Sequence, residues 1–418
     1  MGSQRFGRSL THPEGACNMP NPHTHRPHRR LFLARSSVSL GAAASAAVAF
    51  PKLCATAAGA APQDATASQV TRPDVPWLEE VTRLDVPPDA PALPPLLPAF
   101  DAPGQVTANL PEETRVQLRR LWMQRRTELF DLWRKVLGTL PARPTPPPQL
   151  EILQTEVIDG IRRARVRYPT LPGQTTEAYL LHPVGVSGPL PACVVFHSTV
   201  PHSILQPAGI EGDANKAFGW HLARRGCMAL CPRNFLWPSN DRIDAHTETE
   251  RFLRDYPHAT GMARMLWEGR LAVDILAAHD LADAERIGAI GHSLGAKEAL
   301  YLAAFDARIK AAVSSEGGVG LAFSNWDAPW YLGQQIHQPE FGREHHELLA
   351  LCAPRPFLLV GGDSADGARS APFVAAAQTI YGLYGDPLRL GLYNHRGGHA
   401  VPAPALDRML AWCQAYTA

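Results

Sequence analysis

The sequence predicts an α/β protein, with a mostly parallel sheet of about eight strands and helices on both faces. Three observations predict it. From about residue 151, short β-rich runs alternate with helical stretches. The later runs are continuously apolar, as strands become when helices cover both faces of a parallel sheet. One run, residues 286–290 (Arg-Ile-Gly-Ala-Ile), passes through Gly291-His292-Ser293-Leu294-Gly295 into the helical stretch 296–304, placing a strand, a sharp turn and a helix in succession.

The chain has 418 residues, 45% hydrophobic and 19% charged, enough for one large or two smaller units with a substantial core. Its net charge of +1 points away from nucleic acid and anionic surfaces as partners. Seven cysteines form no C-x-x-C pair and read as small buried hydrophobes.

Residues 1–60 read as an address. Arg29-Arg30 precedes a mild alanine-rich stretch, 36–50, too short to span a bilayer, and A-x-A sites follow at 55–57 and 58–60. That order resembles a twin-arginine export signal and predicts a periplasmic or secreted protein without a stable membrane anchor. Met19 is a second candidate start, and Lys52 argues against lipidation at Cys54. Residues 61–150 read as a proline-rich arm; 61–110 shows no periodicity. Within the arm, 111–138 predicts one long helix, opened by Pro111 and closed by Gly138, with Leu118, Trp122, Leu129 and Trp133 near helical spacing.

Residues 151–418 are the expected catalytic domain. Strands are expected at 151–157, 161–168, 177–182, 192–197, 227–231, 287–290, 311–315, 356–360 and 388–393. The early runs lack intervening helices and predict an antiparallel edge.

Ser293 is the candidate nucleophile, because the turn strains its backbone and the helix behind it favours developing negative charge. A serine nucleophile needs a base, and the base an orienting acid. His399, in the glycine loop after 388–393, is the expected base, with His395 as a fallback. Two acids compete. Asp366 follows the apolar run 357–360 and is preferred; Glu316 follows the preceding strand and is the alternative. Oxyanion donors are expected from the N–H of Leu294 and of Ser198 or Thr199. His197 is expected to buttress that turn. Trp326 and Trp330 lie in a long segment after Glu316, where they either stack on a sugar or pack the loop. His345-His346-Glu347 lacks a third ligand at metal spacing and reads as structural, so neither metal nor cofactor is expected.

From near residue 160 to the end, the chain resembles the α/β-hydrolase superfamily, above all its dienelactone-hydrolase-like and acetylxylan-esterase-like bacterial members. The resemblance is carried by 291–295, by Phe-Asp-Ala-Arg-Ile-Lys-Ala-Ala-Val (305–313), by His-Glu-Leu-Leu-Ala-Leu-Cys-Ala-Pro-Arg-Pro (346–356) and by Gly-Gly-His (397–399). It implies the α/β-hydrolase fold, a Ser293/Asp366/His399 triad and cofactor-free ester hydrolysis. Dienelactone hydrolases proper use a cysteine where this chain has Ser293. Glucuronoyl esterases, other relatives, place their acid after the strand that Glu316 follows. The expected function is an exported serine esterase acting on carbohydrate-linked acetyl or glucuronoyl esters. The alternatives are a peptidase or lipase of the same fold, or an inactive binding protein on this scaffold.

Overall fold

All nine expected strands pair into one sheet: β1 (Glu151–Ile158), β2 (Ile161–Pro169), β3 (Thr175–Pro183), β4 (Leu190–Phe196), β5 (Met228–Pro232), β6 (Ala282–His292), β7 (Ile309–Ser315), β8 (Phe357–Gly361) and β9 (Leu390–Asn394). The computed structural model describes residues 74–97, 109–186 and 188–417. The chain divides into units 1–59 and 60–418, and every described residue belongs to the second. The expected leader, with Cys17 and Cys54, lies outside the described residues.

The strand order is β1-β2-β3-β5-β4-β6-β7-β8-β9. β1, β2, β3 and β5 pair antiparallel in turn, and the remaining neighbours are parallel. The helices are α1 (Leu78–Thr82), α2 (Glu112–Leu137), α3 (Phe218–Ala223), α4 (Ala245–Asp255), α5 (Gly261–Ala277), α6 (Leu294–Phe305), α7 (His346–Leu351), α8 (Ala371–Tyr381) and α9 (Ala403–Thr417). β4 shows how the layers form. Ala192, Val194 and Phe196 join the core under α5, α6, α7 and α8, while Cys193 and Val195 join the opposite core under α1, α3 and α9. Successive side chains of a strand alternate faces, so an unbroken apolar run serves two cores.

α2 has its expected bounds because Gly138, at φ 84°, ends it where a Cβ would lie 1.8 Å from the His258 carbonyl oxygen. Its Trp122, Leu129 and Trp133 are fully buried, and the Trp133 indole N–H donates to Glu347 Oε2 at 2.7 Å. The sequence shows no periodicity around α1, yet this segment is docked. Asp74 accepts from Arg389 at 2.8 and 3.1 Å, Trp77 stacks on Trp412 at 5.9 Å, and Glu80 pairs with Arg408. Five residues are too few for a helical period to register, and a helix that short owes its stability to tertiary contact. None of the described helices is long and apolar enough to cross a membrane. The five described cysteines are buried and unpaired, and burial raises the Cys352 thiol to about 11.

Candidate active site

The parallel strands β6 to β9 deliver the candidate residues to one edge of the sheet. Ser293 links β6 to α6 at φ 60°, ψ −117°, a conformation a non-glycine residue holds only when its surroundings enforce it. The flanking glycines explain how the turn fits. A Cβ on Gly291 would lie 2.1 Å from the Gly295 carbonyl oxygen, and one on Gly295 would lie 2.6 Å from that of Phe196. The Ser293 N–H donates to the Ser315 carbonyl at 2.8 Å, tying the turn to the end of β7.

His399 hangs from the loop after β9. Its Nε2 lies 2.9 Å from Ser293 Oγ and its Nδ1 lies 3.0 Å from Glu316 Oε2. A carboxylate only accepts, so Nδ1 carries the proton and Nε2 is left to accept from the serine hydroxyl. Glu316 is the first residue after β7, at φ 55°, and its side chain is buried. Burial alone would raise its carboxyl. The hydrogen bond from His399 and the N–H groups of Ala365 (2.6 Å) and Gly362 (2.5 Å) outweigh burial and hold it below the ordinary range.

Asp366, the acid preferred from sequence, is not on the imidazole. Its Oδ2 accepts from the Gly318 N–H at 2.7 Å, and its Oδ1 from the Val319 N–H and the Ser370 hydroxyl, each at 2.8 Å. It is fully buried, which raises its carboxyl. The reason for the difference is local. β7 lies directly beside β6, and the turn at Glu316 sends its carboxylate toward His399, whereas the chain after β8 folds back onto residues 318–319. His395 is also away from the serine: its Nδ1 accepts from the Gly397 N–H at 3.0 Å. Asp363 caps its own turn, accepting from Ala368 N–H and from Asn394 Nδ2.

On the oxyanion side, the Leu294 N–H is the first of α6 and has no acceptor within that helix. The Ser198 N–H is already donated to Gln206 Oε1 at 3.2 Å, and its hydroxyl pairs with His292 Nδ1 at 3.1 Å. Thr199 N–H has no acceptor among the described residues, so of the two expected donors on this loop it is the available one. His197 accepts the Asn234 N–H at Nε2 and reaches the Ser198 carbonyl with Nδ1, a bracing arrangement that keeps the ring neutral; burial lowers it to about 4.

Trp326 is fully buried and cannot stack on a substrate; its indole N–H donates to the Gly318 carbonyl at 2.8 Å. Trp330 is half-buried, its ring edge-on to His246 at 5.1 Å. His345 bonds Tyr301 and Val319, His346 bonds Pro94, and Glu347 accepts from Trp133, so that triplet is structural. Sequence reasoning missed Lys297. Its ammonium lies 3.8 Å above the Trp326 ring and donates to Ser324 Oγ at 2.7 Å, and burial lowers it to about 7. The available signal was a Lys297-Glu298 pair in an otherwise apolar helix directly after the serine. Gln206 was also missed; nothing in its neighbourhood marked it.

Residues 176–339 match the Dienelactone hydrolase family, a span that holds Ser293 and Glu316 and ends before Asp366 and His399. No match is found among curated proteins. Solved structures with similar architecture include a glucuronoyl esterase from Solibacter usitatus (TM-score 0.61, 18% identity, 79% of this chain and 99% of that one). A CE15 glucuronoyl esterase from Teredinibacter turnerae is similar over 77% of this chain and 88% of its own (TM-score 0.56, 19% identity). A putative acetyl xylan esterase from Bacteroides fragilis is similar over 69% and 77% (TM-score 0.53, 15% identity). With the sheet order and the strand–serine–helix turn, these likenesses establish the α/β-hydrolase fold. Residues 176–339 thus match the Dienelactone hydrolase family within a chain that has the α/β-hydrolase fold.

Proposed function

We propose that the chain is an exported serine esterase in which Ser293 is the nucleophile, His399 the general base and Glu316 the orienting acid. The observation that carries this reading is the unbroken relay from Ser293 Oγ through both ring nitrogens of His399 to Glu316 Oε2, at 2.9 and 3.0 Å. Ser293 Oγ attacks the ester carbonyl while His399 Nε2 takes its proton. The oxyanion is met by the N–H groups of Leu294 and Thr199. The tetrahedral adduct expels the alcohol, which leaves with the proton from His399, and an acyl-serine remains. Water, deprotonated by the same imidazole, then releases the acid and restores Ser293. Glu316 stays ionised throughout and holds the imidazolium in register.

The substrate we favour is a carbohydrate-linked ester, of glucuronoyl or acetyl type. Two observations support it. The named neighbours include esterases of those two classes. The site also reaches solvent: the His399 side chain is 45% exposed. An open site admits an ester on a polymer, whereas a small free ligand is normally enclosed.

The test is a fluorophosphonate probe followed by a hydrolysis panel of nitrophenyl esters, acetylated xylan and glucuronate methyl esters. Labelling at Ser293 and turnover of at least one carbohydrate ester are expected, with both lost in Ser293→Ala. An unlabelled wild-type protein would leave the inactive binding protein as the reading. The mass of the exported protein, expected to begin between about 55 and 61 from the order of leader features, tests the export signal.

A further inference from the structure

Two of the three hydrogen bonds that the Asp366 carboxylate accepts come from the residues just after Glu316. The chain after β8 presents three N–H groups, those of Gly362, Ala365 and Asp366, to the Glu316 carboxylate, at 2.5, 2.6 and 3.3 Å. The Asp366 carboxylate returns the grip, accepting from the N–H groups of Gly318 and Val319, two and three residues beyond Glu316. The segment between is held from every side. Ser324 Oγ donates to the Gly317 carbonyl at 3.3 Å, Trp326 Nε1 to the Gly318 carbonyl at 2.8 Å, and His345 Nδ1 to the Val319 carbonyl at 2.8 Å. That restraint has a physical need. Glu316 and Gly318 stand at φ 55° and 75°, and left-handed backbone at a glutamate persists only where its neighbours over-determine it.

We propose that Asp366 is a positioning residue: by clasping the 318–319 backbone it fixes the direction of the Glu316 carboxylate, and so the orientation of His399, without touching either reacting group. This rests on the Ser293–His399–Glu316 relay proposed above. Among the described residues the Asp366 carboxylate bonds only Gly318, Val319 and Ser370. An amide in its place keeps the volume but loses the charge and one acceptor, and turns an N–H₂ toward the N–H of either Gly318 or Val319. The Glu316 loop would then shift, and the 3.0 Å bond to His399 is the contact it loses.

The experiment compares Asp366→Asn, Glu316→Gln and the double variant in nitrophenyl acetate hydrolysis. Asp366→Asn should lower kcat by about 10- to 100-fold with KM within about twofold, the loss expected from a displacement near 1 Å. The pH profile of kcat/KM should shift as well, because the imidazolium loses part of its counter-charge; a merely destabilising change would leave that profile in place. In the Glu316→Gln background, Asp366→Asn should add nothing. An unchanged kcat and profile, or losses that multiply in the double variant, would overturn the proposal. If Asp366→Asn does not fold, Trp326→Phe keeps an aromatic ring and removes one bond to Gly318. It should shift the profile in the same direction by less, and wild-type behaviour would overturn the clasp. If the wild type hydrolyses no ester, the esterase reading fails and the clasp is read by NMR. The downfield Nδ1–H resonance of His399 should be present in wild type and lost in Asp366→Asn. Its persistence in the variant, or absence from wild type, overturns the inference.

Discussion

Two buried carboxylates sit one loop apart, and their surroundings divide the work between them. Glu316 is ionised because hydrogen bonds overcome its burial, whereas burial raises Asp366 despite its N–H partners. Glu316→Gln should therefore be the severe substitution. The imidazole loses both its tautomer and its charge partner, and kcat is expected to fall by about 10⁴ with little change in KM. Steady-state kinetics on a nitrophenyl ester checks this, and a Glu316→Gln enzyme within about tenfold of wild type would remove Glu316 from the relay. Ser293 and His399 were legible because each carries a local signature: a strand–turn–helix for one, a glycine loop after a strand for the other. The acid was not, because two candidates follow neighbouring strands and a single positive φ decides which carboxylate faces the imidazole.

At the scale of elements, α2 is the clearest case of a helix whose sequence pattern and packing agree. Trp133 stacks on His345 at 5.2 Å, meets Tyr301 edge-on and bonds Glu347, so it joins α2 to α7 and to the segment that follows Glu316. Trp133→Ala leaves a large void and takes the indole donor from Glu347 Oε2, leaving that carboxylate its ion pair with Arg343. It should cost about 3–5 kcal/mol, read as a lowered Tm or denaturant midpoint. A loss below about 1 kcal/mol would mean that the arm is not part of the cooperative unit. The later strands were legible as elements since unbroken apolar runs suit a sheet covered on both faces, and β1 to β3 as short β-rich runs with no helix between them. α1 was not, because its stability comes from Trp412, Arg389 and Arg408, more than 300 residues away in sequence.

At the scale of the whole molecule, buried neutral histidines tie stability to pH. His346 donates from Nε2 to the Pro94 carbonyl at 2.8 Å, joining the arm to α7, and burial lowers it to about 4 from an ordinary 6.5. As pH falls from 6.5 toward 4, the unfolded chain protonates at this position while the folded one does not, so its contribution to stability is lost across that window. His346→Gln removes the titration. The stability advantage of wild type over the variant should shrink by roughly 2–3 kcal/mol between pH 7 and pH 4. Thermal or denaturant melts at the two values test this, and a constant difference would contradict it.

The sequence by itself determined the class of sheet, the position of every strand, the elbow at Ser293 and the loop that carries His399. Each rests on short-range pattern: apolar run length, glycine spacing, a helix directly after a turn. Tertiary structure alone decided which acid meets the imidazole, which N–H groups stay open to an oxyanion, and that Trp326 is a packing residue. Those outcomes depend on where loops after different strands meet. The Ser198 N–H is closed by Gln206, the Gly318 carbonyl is taken by Trp326, and Asp366 is turned toward a backbone that lies 47 residues earlier in the chain at Val319. No local pattern encodes such encounters, because they follow from the order in which β6, β7, β8 and β9 lie side by side.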